Sequence, residues 1–311
     1  MELIRGIHNI LPSHNGCVLT IGNFDGVHRG HAQVINNLVN KAKHFQLPAV
    51  VMTFEPQPQE LFRQQDAPAR ISLLRDKISL LEELNIDRLL CANFNTRFAN
   101  QPAEQFIEDL LVNKLGVKYL VVGDDFCFGK NRTGTFDMLL EAGKKFGFTV
   151  VSTQSFILGS TRVSSTAVRE QLALGNLEQA RRLLGHPVLL SGKVAHGQKI
   201  GRTIGFPTAN IALKRKVSPV RGVFAVKMYW DGSDIYEGVA NVGFRPTVDG
   251  QVCQLEVHLF DYSGDLYGKR VEVELVAKIR DEHPFESLDA LKKQILNDVN
   301  EAKALFSNDA G

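Results

Sequence analysis

The sequence predicts two domains: an α/β domain with a Rossmann-like parallel sheet, then a small antiparallel β-barrel that ends in a helix. Three observations support this fold class. The chain has 311 residues, which exceeds the usual size of one compact core. From Cys17 to Thr153 short apolar runs alternate with segments of helical periodicity. Beyond Pro187 the pattern changes to short β-rich runs separated by Gly, Pro and Asp.

The N-terminal half reads as repeated βαβ units. The predicted strands are Cys17–Ile21, Ala49–Thr53, Arg88–Ala92, Tyr119–Val122 and Phe148–Val151. The predicted helices are His31–Phe45, Ser72–Leu84, Ala103–Leu115 and Thr135–Phe146. Strands that alternate with helices indicate a parallel sheet. Such sheets bind ligands beyond the carboxyl ends of their strands.

The domain boundary is predicted after two short helices. Ser164–Leu184 has a helical pattern that is broken at Gly175-Asn176 and ends at Gly185-His186-Pro187. We therefore expect domains at residues 1–185 and 186–311. The β-rich runs of the second domain are Val188–Val194, Gly222–Tyr229, Glu237–Val242, Cys253–Phe260 and Arg270–Lys278. They predict a barrel or sandwich, and Pro284–Asn300 predicts the terminal helix.

Composition excludes several classes of protein. A formal net charge of +2 is far from the basic balance of a nucleic-acid binder, so we expect local groups to hold any anionic ligand. The four cysteines lie far apart and match no zinc or disulfide spacing, which favours a reduced, cytoplasmic location. No apolar run has transmembrane length, so no membrane partner is expected. The oligomeric state is left open by the sequence.

The most informative segment is Gly22–His31, Gly-Asn-Phe-Asp-Gly-Val-His-Arg-Gly-His. It runs from a predicted strand into a helix, and the spacing of His28 and His31 predicts that both imidazoles lie on one face. Unpaired N–H groups at a helix N-terminus favour a phosphate, and glycines let the backbone approach it closely. An isolated histidine pair at this place would more often be a coincidence, but here the whole context predicts a phosphate site.

The order of strand, Gly-x-Phe-Asp and His-x-Gly-His resembles the signature of the nucleotidyltransferase superfamily, which transfers AMP from ATP. Ser164-Ser165-Thr166-Ala167-Val168-Arg169 resembles its second signature, Ser-Ser-Thr-x-x-Arg. That resemblance implies that Arg169 reaches the ATP phosphates. Without the first motif, a serine-capped helix would be the simpler interpretation of this segment.

The acceptor in adenylyl transfer is already an oxyanion, so positioning and charge neutralisation should suffice. We assign His28, His31 and Arg169 to the charge on the transferring phosphoryl group, with Mg²⁺ sharing that role. The expected ATP contacts come from both motifs: Gly22, Asn23, Phe24, Asp25, Gly30, Ser164 and Ser165. Asp25 could equally orient a donor, contact the metal or cap the turn.

Two further segments, Val51–Pro58 and Val121–Gly129, resemble bacterial FAD synthetases. The second follows a predicted strand and implies Asp125 as a tentative flavin contact. The sequence departs from the family pattern at Gln57, where histidine is common, and at Ala167, where arginine is frequent. Neither residue is therefore assigned a charged contact.

A second constellation, Gly197–Asn210, combines spaced glycines with Lys199, Arg202 and Pro-Thr-Ala-Asn. The residues alone fit a phosphate-wrapping loop or a glycine-rich hairpin equally well. Gly-Arg-x-x-Gly-Phe-Pro-Thr-Ala-Asn closely resembles the riboflavin kinase signature. The resemblance implies ATP contacts at Gly197, Lys199, Gly201 and Gly205, Mg²⁺ ligands at Thr208 and Asn210, and tentative flavin contacts at Phe206 and Arg245.

The same resemblance continues through Arg221–Val226, Gly238–Thr247 and Leu255–Asp261, and implies that Glu256 is the catalytic base. A base is useful because the primary hydroxyl of riboflavin must lose its proton. The alternative is a solvent-facing carboxylate on a strand where His258 shares its face. Phe244 stands where the family pattern has threonine.

The chain is thus similar to bacterial bifunctional riboflavin kinase/FMN adenylyltransferases. The resemblance implies an enzyme that converts riboflavin to FMN and FMN to FAD, using one ATP in each step. Two alternatives stay open at this point. One is an adenylyltransferase for another phosphorylated acceptor, and the other is a flavin carrier without turnover.

Overall fold

A computed structural model of the chain describes residues 1–123, 125–153, 156–159, 161–196, 205–213, 215, 217–247 and 250–309. The chain forms two compact units. The N-terminal unit comprises Met1–Pro68 and Ser72–Val163. The C-terminal unit comprises Ala69–Ile71 and Ser164–Gly311.

The N-terminal unit is built on a six-stranded parallel sheet with the order β1-β4-β3-β2-β5-β6. Its strands are β1 (Glu2–Arg5), β2 (Cys17–Ile21), β3 (Ala49–Glu55), β4 (Arg88–Asn93), β5 (Val117–Val122) and β6 (Thr149–Ser152). The helices are α1 (Arg29–Phe45), α2 (Pro58–Arg63), α3 (Leu74–Glu83), α4 (Thr96–Ala99), α5 (Ala103–Gln105, continued by a π-helix at Phe106–Lys114) and α6 (Phe136–Phe146). A small hairpin of β7 (Ile157–Leu158) and β8 (Thr161–Arg162) follows.

The central strands are buried on both faces, which explains why they read as continuous apolar runs. Every residue of β2 is buried, and its side chains alternate between two cores. Cys17, Leu19 and Ile21 pack into one hydrophobic cluster. Val18 packs into the other with Leu38 of α1. The sheet is therefore covered on both sides, as a doubly wound fold requires.

The strand order defines where a ligand can bind. The chain passes from β2 to β3 on one side, whereas β5 lies on the other side of β2. The crevice of an open α/β sheet forms at the carboxyl ends of strands where the winding direction reverses. The loop that follows β2 is Gly22–His28, and the loop that follows β5 begins at Gly123. Both loops therefore lie at the switch point of the sheet.

The C-terminal unit begins with α7 (Ser165–Leu174) and α8 (Leu177–Leu184) and continues as a closed antiparallel barrel with the order β10-β13-β12-β11-β14-β9. The barrel strands are β9 (Leu189–Ala195), β10 (Ala209–Ala212), β11 (Gly222–Tyr229), β12 (Tyr236–Thr247), β13 (Gly250–Leu259) and β14 (Arg270–Arg280). The chain ends in α9 (Leu288–Asp309). Val299, Ala302 and Phe306 of α9 pack on Val223 and Val239 of the barrel.

The predicted fold class is confirmed, and the barrel, not the sandwich, is the form that the β-rich half adopts. Four short strands, β1, β7, β8 and β10, were absent from the sequence prediction. The terminal helix is longer than Pro284–Asn300 and starts later, at Leu288. The domain boundary at 185/186 stays a prediction. The compact units of the structure divide between Val163 and Ser164, which places α7 and α8 in the same unit as the barrel. Within the described residues, no helix combines the length and apolar character that a membrane span needs.

Candidate active sites

The loop after β2 has an unusual backbone that prepares it for a ligand. Phe24 and Val27 have positive φ values of 47° and 39°, in the left-handed region that residues other than glycine rarely adopt. Such conformations persist where neighbouring contacts hold them, and they cluster at ligand sites. Gly22 and Gly30 have a steric reason to be glycine. A Cβ atom would lie 3.2 Å from the Phe24 ring at Gly22 and 3.2 Å from the His28 ring at Gly30.

The two histidines lie together, as their spacing predicts. His28 is the N-cap of α1, and its Nδ1 accepts a hydrogen bond of 3.2 Å from the backbone N–H of His31. An accepting Nδ1 leaves the proton of a neutral His28 ring on Nε2. The rings of His28 and His31 stack with centroids 3.5 Å apart and planes 15° apart. The pair therefore forms one flat surface at the positive end of the helix.

His31 is held in its neutral form. Burial, then the charge on His28, then the charge on Lys77 lower the pKa of His31 well below its ordinary value. Its Nδ1 is buried, and no hydrogen-bond partner for it occurs among the described residues. The ring also contacts the Phe24 ring edge to face, with centroids 5.1 Å apart. With its pKa lowered in this way, His31 acts as a neutral hydrogen-bonding group at neutral pH.

Asp25 and Ser72 brace the tip of the loop from one side. Asp25 is 2% exposed, and its Oδ1 accepts hydrogen bonds from the backbone N–H (3.1 Å) and the hydroxyl (3.4 Å) of Ser72. The N–H of Gly26 in turn donates to Ser72 Oγ over 2.9 Å. These contacts give Asp25 a bracing role inside the loop. Its contact with a metal stays a prediction.

Asn23 is held from below by two side chains that the sequence analysis did not identify. The carbonyl oxygen of Asn23 accepts hydrogen bonds from Lys77 Nζ (2.5 Å) and from Thr53 Oγ1 (3.2 Å). Lys77 lies four residues before the buried Leu81 on α3, so it occupies the apolar face of that helix. The sequence contained one signal for this contact, because a lysine on the apolar face of a helix must find a polar partner inside the protein.

A row of phenylalanine rings lies along the carboxyl edge of the same sheet. Ring contacts with centroid distances of 5.1–6.1 Å connect its members: Phe62, Phe94, Phe54, Phe98, Phe106, Phe128 and Phe126. Phe62 of α2 ends the row and is 67% exposed. Phe54, Phe106 and Phe128 are buried in the core of this unit, so the row reaches solvent at its Phe62 end, where a flat aromatic ligand could stack.

The other predicted residues near this edge have different surroundings. Asp125 is exposed in the loop after β5, close to Gly123. Gln57 is buried at the N-cap of α2, and its Nε2 has no hydrogen-bond partner among the described residues. The flavin contact of Asp125 stays a prediction.

Arg169 and the two serines belong to the C-terminal unit. Ser164 is the N-cap of α7 and accepts a hydrogen bond of 3.2 Å from the N–H of Ala167, and Ser165 is the first residue of that helix. Arg169 Nε donates to the carbonyl oxygen of Ala69 over 2.7 Å. The serine cap is thus observed. The assignment of Arg169, Ser164 and Ser165 to ATP stays a prediction.

In the barrel, Glu256 lies in a polar row across three strands. Glu256 on β13 is paired with Asn210 on β10 and with Asn241 on β12. Directly opposed residues of antiparallel strands have their side chains on one face of the sheet. Leu255 and Val257, on either side of Glu256, are fully buried on the opposite face. The row therefore unites a predicted base and a predicted metal ligand.

Hydrogen bonds organise the ends of this row. Asn210 is 9% exposed, and its Oδ1 accepts a hydrogen bond from Gln254 Nε2. His258 Nδ1 donates to the carbonyl oxygen of Pro207 over 2.9 Å, and its ring contacts Phe206 with centroids 5.3 Å apart. The segment that carries Phe206 and Thr208 is thereby fixed to β13.

Glu282 organises the far side of the row and was absent from the sequence prediction. Its Oε1 accepts from Asn241 Nδ2 (3.0 Å), and its Oε2 accepts from Arg221 Nη2 (3.3 Å). Asn241 Oδ1 is buried, with no hydrogen-bond partner in the described part of the chain. The guanidinium of Arg221 also lies over the ring of Phe244, 5.0 Å from its centroid. The departure from threonine at Phe244 therefore provides a cation–π contact.

Part of the predicted kinase loop lies outside the described residues, namely Gly197, Lys199 and Gly201. The side chain of Arg245 also lies outside them, although its backbone pairs with Val252. Gly205 has a φ of 91° in open space. The ATP contacts of this loop stay predictions.

Comparison with known proteins assigns each half of the chain. The family model described as FAD synthetase matches residues 10–167. The family model described as riboflavin kinase matches residues 184–306. The two matches follow the two chemical constellations, each in its own half.

Relatives match the whole chain. The bifunctional riboflavin kinase/FMN adenylyltransferase of Escherichia coli K12 is 54% identical over 307 residues, covering 98% of each chain. The enzyme of that name from Haemophilus influenzae is 53% identical over 308 residues, covering 99% of this chain and 100% of the relative. A crystal structure of a protein from Streptococcus pneumoniae, described as a macrolide-efflux protein, has a TM-score of 0.80 and 30% identity, covering 96% of this chain and 97% of its own.

The chain belongs to the family of bifunctional riboflavin kinases/FMN adenylyltransferases. It phosphorylates riboflavin to FMN and transfers AMP from ATP to FMN to form FAD, so ATP is the co-substrate of both steps. Neither an adenylyltransferase for another acceptor nor a flavin carrier accounts for both family matches.

Proposed function

We propose that the loop Gly22–His31 binds the ATP phosphates during adenylyl transfer. The observation that carries this proposal is the stacked histidine pair at the N-terminus of α1. His28 Nε2–H and the His31 ring can donate to phosphate oxygens, while the positive end of the α1 dipole adds a favourable field. The phosphate of FMN attacks the α-phosphorus of ATP, and diphosphate leaves. His28 and His31 stabilise the charge that shifts onto the leaving oxygens.

In the barrel, we propose that Glu256 is the base for riboflavin phosphorylation. Its carboxylate accepts the proton of the ribityl primary hydroxyl as that oxygen bonds to the γ-phosphorus of ATP and ADP leaves. The flanking amides of Asn210 and Asn241 support this role, because they hold neighbouring polar atoms on the same face. Phe206 and Arg245 are the proposed flavin contacts.

Thr208 and Asn210 fit a Mg²⁺ ion that accompanies ATP. A hydroxyl and an amide oxygen are the hard donors that this ion accepts in small number, along with water and phosphate. Asn210 Oδ1 already accepts one hydrogen bond, from Gln254, and a carbonyl oxygen has a second lone pair. Bound Mg²⁺ would neutralise phosphate charge. Among the described residues no group of His, Cys, Asp and Glu forms a metal cluster.

We also propose that FMN leaves the kinase site before it enters the adenylyltransferase site, because the loop Gly22–His31 and Glu256 lie in different units. The four cysteines are all free thiols, which supports a cytoplasmic location.

The assignment is tested with two variants of the full chain, Glu256→Gln and His31→Ala. Glu256→Gln should abolish FMN formation from riboflavin but keep FAD formation from supplied FMN. His31→Ala should do the reverse, with a loss of adenylylation of about 100-fold or more, the size seen when one transition-state donor is removed. Flavins separated by chromatography over time give both rates from each protein.

Each variant is the control for the other, because one activity reports that the chain has folded. Loss of both activities in either folded variant would contradict separate sites. Full adenylylation by His31→Ala would remove the histidine pair from the mechanism.

A further inference from the structure

Among the described residues, the largest side chain that is fully buried is that of a basic residue, Lys77. It is 1% exposed and projects from α3. Burial of an ammonium group is costly, so such a group needs close polar contacts. Its contacts lie under the adenylyltransferase loop and not at the protein surface.

The ammonium group of Lys77 contacts a backbone atom of the loop. Lys77 Nζ donates to the carbonyl oxygen of Asn23 over 2.5 Å and approaches Thr53 Oγ1 at 3.5 Å. Thr53 Oγ1 donates to the same carbonyl over 3.2 Å. Two side chains from separate elements, α3 and β3, therefore converge on a single peptide group of the loop.

The orientation of that peptide group affects the positions of the Phe24, His31 and His28 rings. The carbonyl of Asn23 forms the peptide bond to Phe24, whose φ is 47°. Holding the peptide plane thus holds Phe24 in a conformation that it would otherwise rarely adopt. The Phe24 ring meets the edge of the His31 ring, which stacks on His28. A continuous series of contacts leads from Lys77 to both histidines.

We propose that Lys77 is a positioning residue for adenylyl transfer, which fixes the Asn23–Phe24 peptide and thereby the arrangement of the His28 and His31 rings. This inference rests on the proposed role of the histidines at the ATP phosphates. Lys77 acts through the loop and does not itself touch the reacting atoms.

The charge of Lys77 provides a second, independent readout. After burial and the charge on His28, Lys77 is the third cause that lowers the pKa of His31. His28 reaches His31 from the loop, and Lys77 reaches it from α3. Removal of the Lys77 charge should therefore raise the pKa of His31, whereas a residue that only fills space would leave that pKa unchanged.

The test compares Lys77→Met and Thr53→Val with the wild-type chain. Lys77→Met keeps the length and apolar stem but loses the charge and the donor. We expect kcat/KM for ATP in FMN adenylylation to fall by about 10- to 100-fold, the effect of one hydrogen bond to a charged group. Thr53→Val removes the neutral donor to Asn23 and the long 3.5 Å contact with Lys77 Nζ but keeps the Lys77 charge, so its loss should be smaller, about 3- to 10-fold. Riboflavin phosphorylation should keep its rate in both variants.

Histidine ring NMR across a pH titration provides the second measurement. Lys77→Met should raise the pKa of His31, and Thr53→Val should leave it unchanged. Lys118→Met is the matched control, because Lys118 is an exposed lysine of the same unit. It should change neither the rates nor the pKa of His31.

The inference is overturned if folded Lys77→Met adenylylates FMN within about twofold of wild type, or loses activity with an unchanged pKa of His31. If Lys77→Met fails to fold, Thr53→Val decides, and unchanged adenylylation in that variant overturns the inference. His31→Ala, assayed alongside, separates the two proposals. Full activity in His31→Ala refutes the histidine role itself, whereas loss in His31→Ala without loss in Lys77→Met refutes only the role of Lys77.

Discussion

His28 and His31 have different chemical roles although they form one stacked pair. His28 Nδ1 accepts the backbone N–H of His31, so its outward nitrogen is a donor. His31 is buried against Phe24 and His28, and its pKa lies well below the ordinary histidine value. In the proposed phosphate site, both rings would offer directed hydrogen bonds to ATP, and the positive end of α1 would add a favourable field.

The depressed pKa of His31 makes the stability of the N-terminal unit depend on pH. Below pH 6.5, the ordinary value for His31, the unfolded chain binds a proton that the folded unit does not. The free energy of unfolding should therefore be highest above that pH and fall as the pH decreases, by up to about 1.4 kcal/mol per pH unit from this group.

The contribution of His31 is isolated by comparison with His31→Asn. Hydrogen exchange of amides in β2 and β3, measured between pH 7.5 and 5.5, gives the stability of this unit. The difference between the two proteins should change across this range. A difference that stays constant would show that folding does not depress the pKa of His31.

At the scale of elements, the carboxyl edge of the parallel sheet combines the proposed phosphate site with the row of phenylalanine rings. The histidine loop follows β2, while Phe54 and Phe94 lie at the ends of β3 and β4. A flavin nucleotide also combines a phosphate with a flat ring system. The proximity of both features along one edge favours the row as the place where the isoalloxazine ring stacks.

Phe62→Ala tests this use of the row. Because Phe62 is 67% exposed, its removal should cost little stability. The loss of one stacking partner should raise KM for FMN in adenylylation about 2- to 10-fold, with KM for riboflavin in the kinase reaction unchanged. Steady-state kinetics of both reactions provide the measurement. Phe45→Ala, which removes a 39% exposed ring at the end of α1, is the control. An unchanged KM for FMN in Phe62→Ala would rule out stacking there.

The local sequence pattern predicted those strands and helices whose burial produces a continuous apolar run or a periodic apolar stripe. The central strands β2, β3 and β4 are apolar runs because both faces are covered, and α1 and α6 have marked apolar stripes. The four-residue strands β1 and β10 are too short to show a period. They form through pairing with β4 and with β9 and β13, contacts that are distant in sequence.

The candidate sites divide in the same way. His28 and His31 are close in sequence, so their spacing predicted that they lie side by side, and the structure adds that their rings stack. Ser72 and Lys77 reach the same loop from residues about fifty positions later, and only the fold brings them there. Glu256 required the resemblance to riboflavin kinases, since an alternating strand alone also fits a solvent-facing carboxylate. Its pairing with Asn241 belongs to the hairpin of β12 and β13, whereas its pairing with Asn210 on β10 is a contact between strands distant in sequence.

At the scale of the whole molecule, two units carry two reactions that share FMN. The FAD synthetase match ends at residue 167 and the riboflavin kinase match begins at residue 184. FMN is the product of one unit and the substrate of the other. If FMN is released between them, the two steps need not occur on the same chain.

The most direct test of two separate sites that exchange FMN is a mixing experiment. Equal amounts of Glu256→Gln and His31→Ala proteins are incubated with riboflavin and Mg-ATP, and flavins are separated over time. Neither variant alone should form FAD from riboflavin. The mixture should accumulate free FMN from the His31→Ala protein and then form FAD on the Glu256→Gln protein after a lag. A mixture that forms no FAD, although each variant keeps its single activity, would contradict the release of FMN between independent sites.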